Sequence, residues 1–299
     1  MSTHDPMSIE DYEENPDLLS WQEQDIENRL GVPGGRFTSV NVLLSAVIGL
    51  LLTGAFYLCI SMIRESEVGK MFMERGVIPY CIVFFSAWSL SILFIKWSKI
   101  RYQRRTLKLE ITQDPKFILN AGTVSHVMAA IRRHVDDPND FILFNRIVIA
   151  LSNLRNLGRV SDVDDILRSQ ASNDESRMES SYSLLRGFVW AIPVLGFIGT
   201  VLGLSEAIGQ FGTVLQSADD IEVIKTSLGG VTGGLATAFQ TTLEALVAAL
   251  FIQLLMTFVK KKEEEFLDEC FDYCLRNVVG RLQVIQHQQI IATPDDKLV

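Results

Sequence analysis

Residues 38–63, "TSVNVLLSAVIGLLLTGAFYLCISMI", run for 26 positions without a charge, and residues 77–95, "VIPYCIVFFSAWSLSILFI", form a second uncharged stretch. Crossing a hydrocarbon layer takes about 20 apolar residues, with every backbone polar group bonded inside its own helix. Two later stretches come close to the same condition with one acid each: 187–210 carries Glu206 and 229–259 carries Glu244. The expected fold is therefore an all-α membrane protein with four transmembrane helices. Its hydrophobic residues, 48% of the chain, are gathered into these blocks and not dispersed, as a membrane composition requires.

Orientation follows from Lys and Arg beside the spans. Residues 96–108, "KWSKIRYQRRTLK", hold six and no acid, and "KKK" at 260–262 follows the fourth stretch, whereas the 211–228 connection has Lys225 alone. Both termini and residues 96–186 are expected in the cytoplasm. The 64–76 connection sets three bases against three acids and gives no direction. Five regions result: an acidic cytoplasmic tail over 1–36, transmembrane helices 1 and 2 within 37–95, a cytoplasmic helical segment over 96–186, transmembrane helices 3 and 4 within 187–259, and a cytoplasmic C-terminal helix and tail over 260–299. The first 36 residues set nine Asp or Glu against two Arg and do not read as a cleavable leader. Leu19, Ile26 and Leu30 around Trp21 are compatible with a short docking helix or with disorder.

Helical spacing marks 123–134, 141–157 and 161–186, with Ser161 and Asp162 placed to cap the last. No proline interrupts 161–192, so that helix is expected to run unbroken into the third span. After 260, Leu267, Phe271, Cys274, Val278, Leu282 and Ile285 repeat on one helical face. Lys260–Glu264 and Lys261–Glu265 read as pairs on a solvated helix surface. Together these helices are expected to extend the inner pair of spans into a cytoplasmic collar.

Soluble chemistry finds little support. The net charge of −9 argues against nucleic acid, and the basic cluster after the second span serves as a topology anchor. The glycines at 229, 230, 233 and 234 lack the lysine of a phosphate loop, and "DVDD" at 162–165 lacks the glycine and distal glutamate of a calcium loop. His4, His126, His134 and His287 are scattered, and Cys270 and Cys274 have no further ligands at metal spacing, so helix packing is their simpler role. No nucleophile motif occurs. No enzyme activity, no metal and no cofactor is expected, which returns attention to the membrane.

At 100° per residue, Pro193, Gly196, Thr200, Gly203 and Ala207 share one face of the third span. In the fourth, Leu235, Ala238, Thr242, Ala245 and Ala249 share a face, beside a second made by Gly230, Gly234, Thr237, Thr241, Glu244 and Ala248. Small residues let helices approach closely. A carboxylate inside a span is costly and marks an ion path or a water-filled surface by default. Glu244 reads either as part of such a path or as a neutral carboxyl bonded to Gln240, one turn earlier.

These residues carry a resemblance. "IPVLGFIGTVLGL" resembles the signature of the MotA/TolQ/ExbB proton-channel family, and "GGLATAFQTTLEALVAAL" resembles that family's following span. The resemblance covers 187–259; the first two spans and the cytoplasmic segment match in layout. It implies an A-type stator subunit of an ion-driven motor: a pentameric ring around a single-span B-type partner of the MotB/TolR/ExbD kind, whose aspartate faces ring threonines as H⁺ or Na⁺ passes. By position, Thr200 and Thr242 match the two ring threonines and Pro193 a proline at the start of the third span. Thr237 falls where the TolQ and ExbB branches have a glutamate, so Glu244 has no direct counterpart.

The implied ion pathway comprises Thr200, Thr242, Thr241, Thr237 and Glu244, with Pro193, Gly196, Gly199 and Gly203 as packing and hinge positions. Two competing functions are a non-conducting oligomeric scaffold and a small-solute transporter; the latter usually shows internal repeats, which 38–95 and 187–259 do not.

Overall fold

The computed structural model describes residues 19–32, 34–109, 118–119, 122–157, 160–216 and 221–282. Residues 1–18 and 283–299, with His4, Ile285 and His287, lie outside them. The described residues are helical apart from turns, loops and two isolated bridges.

Four helices are long and apolar enough to cross a membrane, each with a mean hydropathy of at least 2.0 over its most apolar window. They involve α3 (Val42–Ser61), α5 (Ile78–Gln103), α9 (Ser183–Gln216) and α10 (Ile221–Asn277). The other α-helices are α1 (Trp21–Gln24), α2 (Ile26–Arg29), α4 (Glu67–Met73), α6 (Val124–Arg132), α7 (Ile142–Leu157) and α8 (Val160–Ser181). The chain folds as two compact units, Gln22–Arg104 with Asp174–Leu267, and Met1–Trp21 with Arg105–Asn173 and Asp268–Val299.

The first unit holds the spans. Asn41 caps α3, its side chain accepting from Leu43 N and Leu44 N at 3.0 and 3.3 Å, and Pro79 sits in the first turn of α5, where it removes no helical bond. Helix α3 rests on α5 where a Cβ added to Gly49 would come within 2.7 Å of Trp88 Cα, and Trp88 Nε1 donates to Ser45 Oγ at 3.0 Å. On its other side α5 meets α9 through Phe85 and Trp88, whose rings lie 5.2 and 4.7 Å from Phe188. Packed on two sides, α5 is the most enclosed span. Leu43, Leu51 and Leu58 of α3 and Phe239, Leu246 and Leu250 of α10 stay exposed, a surface for lipid or other chains.

At the ends of the spans near Lys96, several charges turn inward. Glu263, 1% exposed, accepts from Lys96 Nζ at 3.0 Å, from Tyr182 Oη at 2.7 Å and from Thr38 Oγ1. The Lys96 ammonium also lies 4.3 Å from the Tyr182 ring centroid. Beside this, Lys99 reaches Glu27 Oε2 at 2.5 Å, Asp25 Oδ2 at 3.4 Å and Ser39 O at 2.9 Å. Burial pushes the Asp25 carboxyl up from its ordinary value, with Lys99 opposing. The segment before the first span is thus helical over α1 and α2 and fastened to α5.

Two expectations are corrected here. The run at 260–265 is not wholly a solvated surface: Lys260–Glu264 forms at 3.4 Å, but Glu265 pairs with Lys262 and not Lys261, and Glu263 is buried. Helix α8 begins at Val160, which puts Ser161 and Asp162 inside its first turn and not at the cap. The helix expected to run into the third span does so, over Asp162–Gly212, tightening for one residue at Tyr182, whose N donates to Glu179 O three residues back while its buried hydroxyl donates to Glu263.

In the second unit, α6, α7, the start of α8 and the end of α10 bury Phe144, Ile147, Leu151, Leu167, Cys270 and Cys274. Trp21 packs edge-on against Phe141 at 5.7 Å, and Leu19 bridges to Val135.

Candidate functional site between the spans

Helices α9 and α10 cross through their small residues. A Cβ added to Gly203 would come within 2.7 Å of Gly234 O, and one added to Gly234 within 2.8 Å of Gly203 O. At Gly196 the added atom would meet Ala245 Cβ at 2.5 Å, and at Gly199 it would meet Thr241 Oγ1 at 2.5 Å. No larger residue fits such an approach unless the helices part. Gly203→Val is accordingly expected to cost about 1–3 kcal/mol through overpacking, seen as a lower unfolding temperature in detergent. An unchanged midpoint would mean the helices do not touch there.

The crossing brings two hydroxyls together. Thr200 and Thr242 are hydrogen-bonded to each other through their Oγ1 atoms. Thr200 also reaches Gly196 O and Ala238 O, both at 3.2 Å, and Thr242 reaches Gly196 O at 3.0 Å and Ala238 O at 3.3 Å. Each hydroxyl owns one proton, so these contacts cannot all be made at once. Several bonding patterns of similar geometry are open, and in any of them oxygen lone pairs remain to accept from a passing ion or proton. Pro193, one turn before Gly196, lies inside α9 without ending it.

The other expected pathway residues do not share that wall. Thr241, 1% exposed, lies against Gly199, and its hydroxyl donates within its own helix to Thr237 O at 3.0 Å. Thr237 accepts from Arg75 Nη1 at 2.8 Å, and the same nitrogen reaches Gly233 O at 3.2 Å. Glu244 turns to a cavity of about 620 Å³ walled by α3, α4, α5 and α10. The expected bond to Gln240 is absent: both carboxyl oxygens of Glu244 and Gln240 Oε1 are buried without a hydrogen-bond partner. The helical spacing of 240 and 244 permits that contact, but Glu244 lines the cavity instead. Among the described residues no group of His, Cys, Asp and Glu could hold a metal ion.

Arg75 escaped the sequence reasoning because its connection is charge-balanced; its place next to Gly76, just before the second span, was the available signal. Lys96 and Lys99, three residues apart and hence on one helix face, were read only as a topology anchor.

Residues 137–270 match the model of the MotA/TolQ/ExbB proton channel family. The match starts well before the resemblance seen from 187 onward and takes in α7, α8 and both later spans. No curated protein and no solved structure matches the chain.

Proposed function

Taking residues 137–270 as a MotA/TolQ/ExbB proton channel domain, we propose that the chain is the A-type subunit of an ion-driven membrane motor, with Thr200 and Thr242 lining the ion path. The observation that carries this is the hydroxyl pair at the α9–α10 crossing, inside the matched region and with more hydrogen-bonding capacity than its neighbours use. In such a site hydroxyl oxygens replace hydration shell as an ion passes. Small residues along the crossing give a smooth wall against which a central partner helix can turn or shift.

The complete assembly in this proposal is a pentamer in a bacterial inner membrane, with both termini cytoplasmic. A single-span B-type partner supplies an aspartate opposite Thr242, and the helices of 96–186 and 260–282 form a collar on the cytoplasmic side. One charge crossing 100 mV releases about 2.3 kcal/mol, so useful work on a distant load takes several ions. Native mass measurement of the complex from its own membranes is expected to give five copies of the 33.5 kDa chain with a smaller single-span protein carrying one membrane aspartate. A monomer, or a ring without such a partner, would sink the proposal.

A second function is favoured by one specific feature. The same hydroxyls bond to backbone carbonyls of both helices, as in a non-conducting scaffold held together by interhelical hydrogen bonds. The two functions diverge in their response to valine at positions 200 and 242.

A further inference from the structure

A second polar cluster lies apart from the threonine pair, on the face of α10 turned to α3 and α5. Glu244, at the middle of the fourth apolar stretch, is 8% exposed, and neither carboxyl oxygen has a hydrogen-bond partner. The Tyr57 hydroxyl of α3 is likewise buried and unpartnered. From α5, Tyr80 stacks on the Tyr57 ring at 4.4 Å, and Cys81 follows it in the chain. From the α4–α5 connection, Arg75 bonds Thr237, two helical turns before Glu244 on α10. The cavity beside the carboxyl is walled by Leu52, Phe56, Phe72 and Phe251 among others. Orphaned buried polar groups are rare in native structures, and several together call for an explanation.

We propose that Glu244 is a proton-exchanging site of this channel, taking up and releasing H⁺ and not Na⁺, in the cleft between α3, α4, α5 and α10. This rests on the channel function proposed above and adds to it the group that carries the proton. A proton needs one carboxyl oxygen, and a neutral carboxyl avoids the large cost of an unpaired buried charge. Sodium ions need several oxygens to replace their water. Here the residues that line the cavity are apolar apart from Glu244 itself and Ser86, whose hydroxyl is the one other side-chain oxygen among them. When the proton leaves, the compensating charge is that of Arg75, held at Thr237 two helical turns from Glu244.

The test uses dicyclohexylcarbodiimide on the complex in its native membranes. This apolar reagent reaches buried carboxyls and reacts with the protonated form: the acid proton passes to one carbodiimide nitrogen, the carboxyl oxygen adds to the central carbon, and an oxygen-to-nitrogen acyl shift leaves a stable N-acylurea with no atom lost. Peptide mapping is expected to place the adduct on Glu244, with yield falling as pH rises and unchanged when sodium replaces potassium. No adduct should form at this position in Glu244→Gln. Proton flux should fall in proportion to labelling, and by about a hundredfold in Glu244→Gln, with partial recovery in Glu244→Asp. Absence of label at Glu244, protection by sodium, or full flux in the labelled protein or in Glu244→Gln would each overturn the assignment. These outcomes are separable from failure of the channel function itself, which would show as no flux in the unlabelled wild-type complex and would remove both proposals.

Discussion

Glu263→Ala is expected to cost about 3–5 kcal/mol, because it strands Lys96 in a buried site. In the native structure Lys96 is fully buried and its ammonium has Glu263 as its carboxylate, and the Tyr182 and Thr38 hydroxyls donate to that same acid. Removing it leaves one cation and two hydroxyls without their acceptor where three chain segments converge on α10. Against a total stability of about 5–15 kcal/mol for a typical domain, this loss is large. Folded protein recovered in mild detergent should fall sharply, and the remaining fraction should unfold at a much lower temperature. Replacing both members, Lys96→Met with Glu263→Leu, should restore much of the loss, since no buried charge is then unpaired. Equal stability of the wild type and Glu263→Ala would mean the pair does not form.

The four spans were legible because apolar stretches of about 20 residues or more with at most one charge have few other causes in a folded chain. The face bearing Gly196, Thr200 and Gly203 was legible from the 100° period alone, and the structure seats it on the small residues of α10. The inward turn of Glu263 was harder to see. In "KKKEEE" every position is charged, so composition marks none of them, although Val259, Glu263 and Phe266 stand on one helical face and are all buried. The burial of Tyr182 against Glu263 likewise has no local mark in the sequence. Glu244 shows the limit of spacing arguments. Gln240 is correctly one turn away, yet the carboxyl lies at a cavity walled by two other spans and α4, a relation that helical periodicity does not encode.

The Thr200→Val, Thr242→Val double variant is expected to lose ion-driven flux while keeping its assembly. Valine nearly matches threonine in volume, so the crossing at Gly196 and Ala245 is preserved. The interhelical hydrogen bonds given up average only about 0.6 kcal/mol each in membrane proteins. Transport is affected more severely. With both hydroxyls gone, a passing ion at this level finds only carbonyls already engaged in helical bonds. Leaving a buried partner unsatisfied costs about 1–3 kcal/mol, roughly a tenfold slowing of transfer for each hydroxyl lost and about a hundredfold for the pair.

The account stands most directly on proton entry into vesicles that hold equal amounts of assembled complex, wild type beside this double variant, under the same imposed potential. It predicts rapid uptake by the wild type and about one hundredth of that rate in the variant. Equal uptake by the two would contradict the channel assignment and leave the hydroxyl pair as an interhelical fastening in a membrane scaffold.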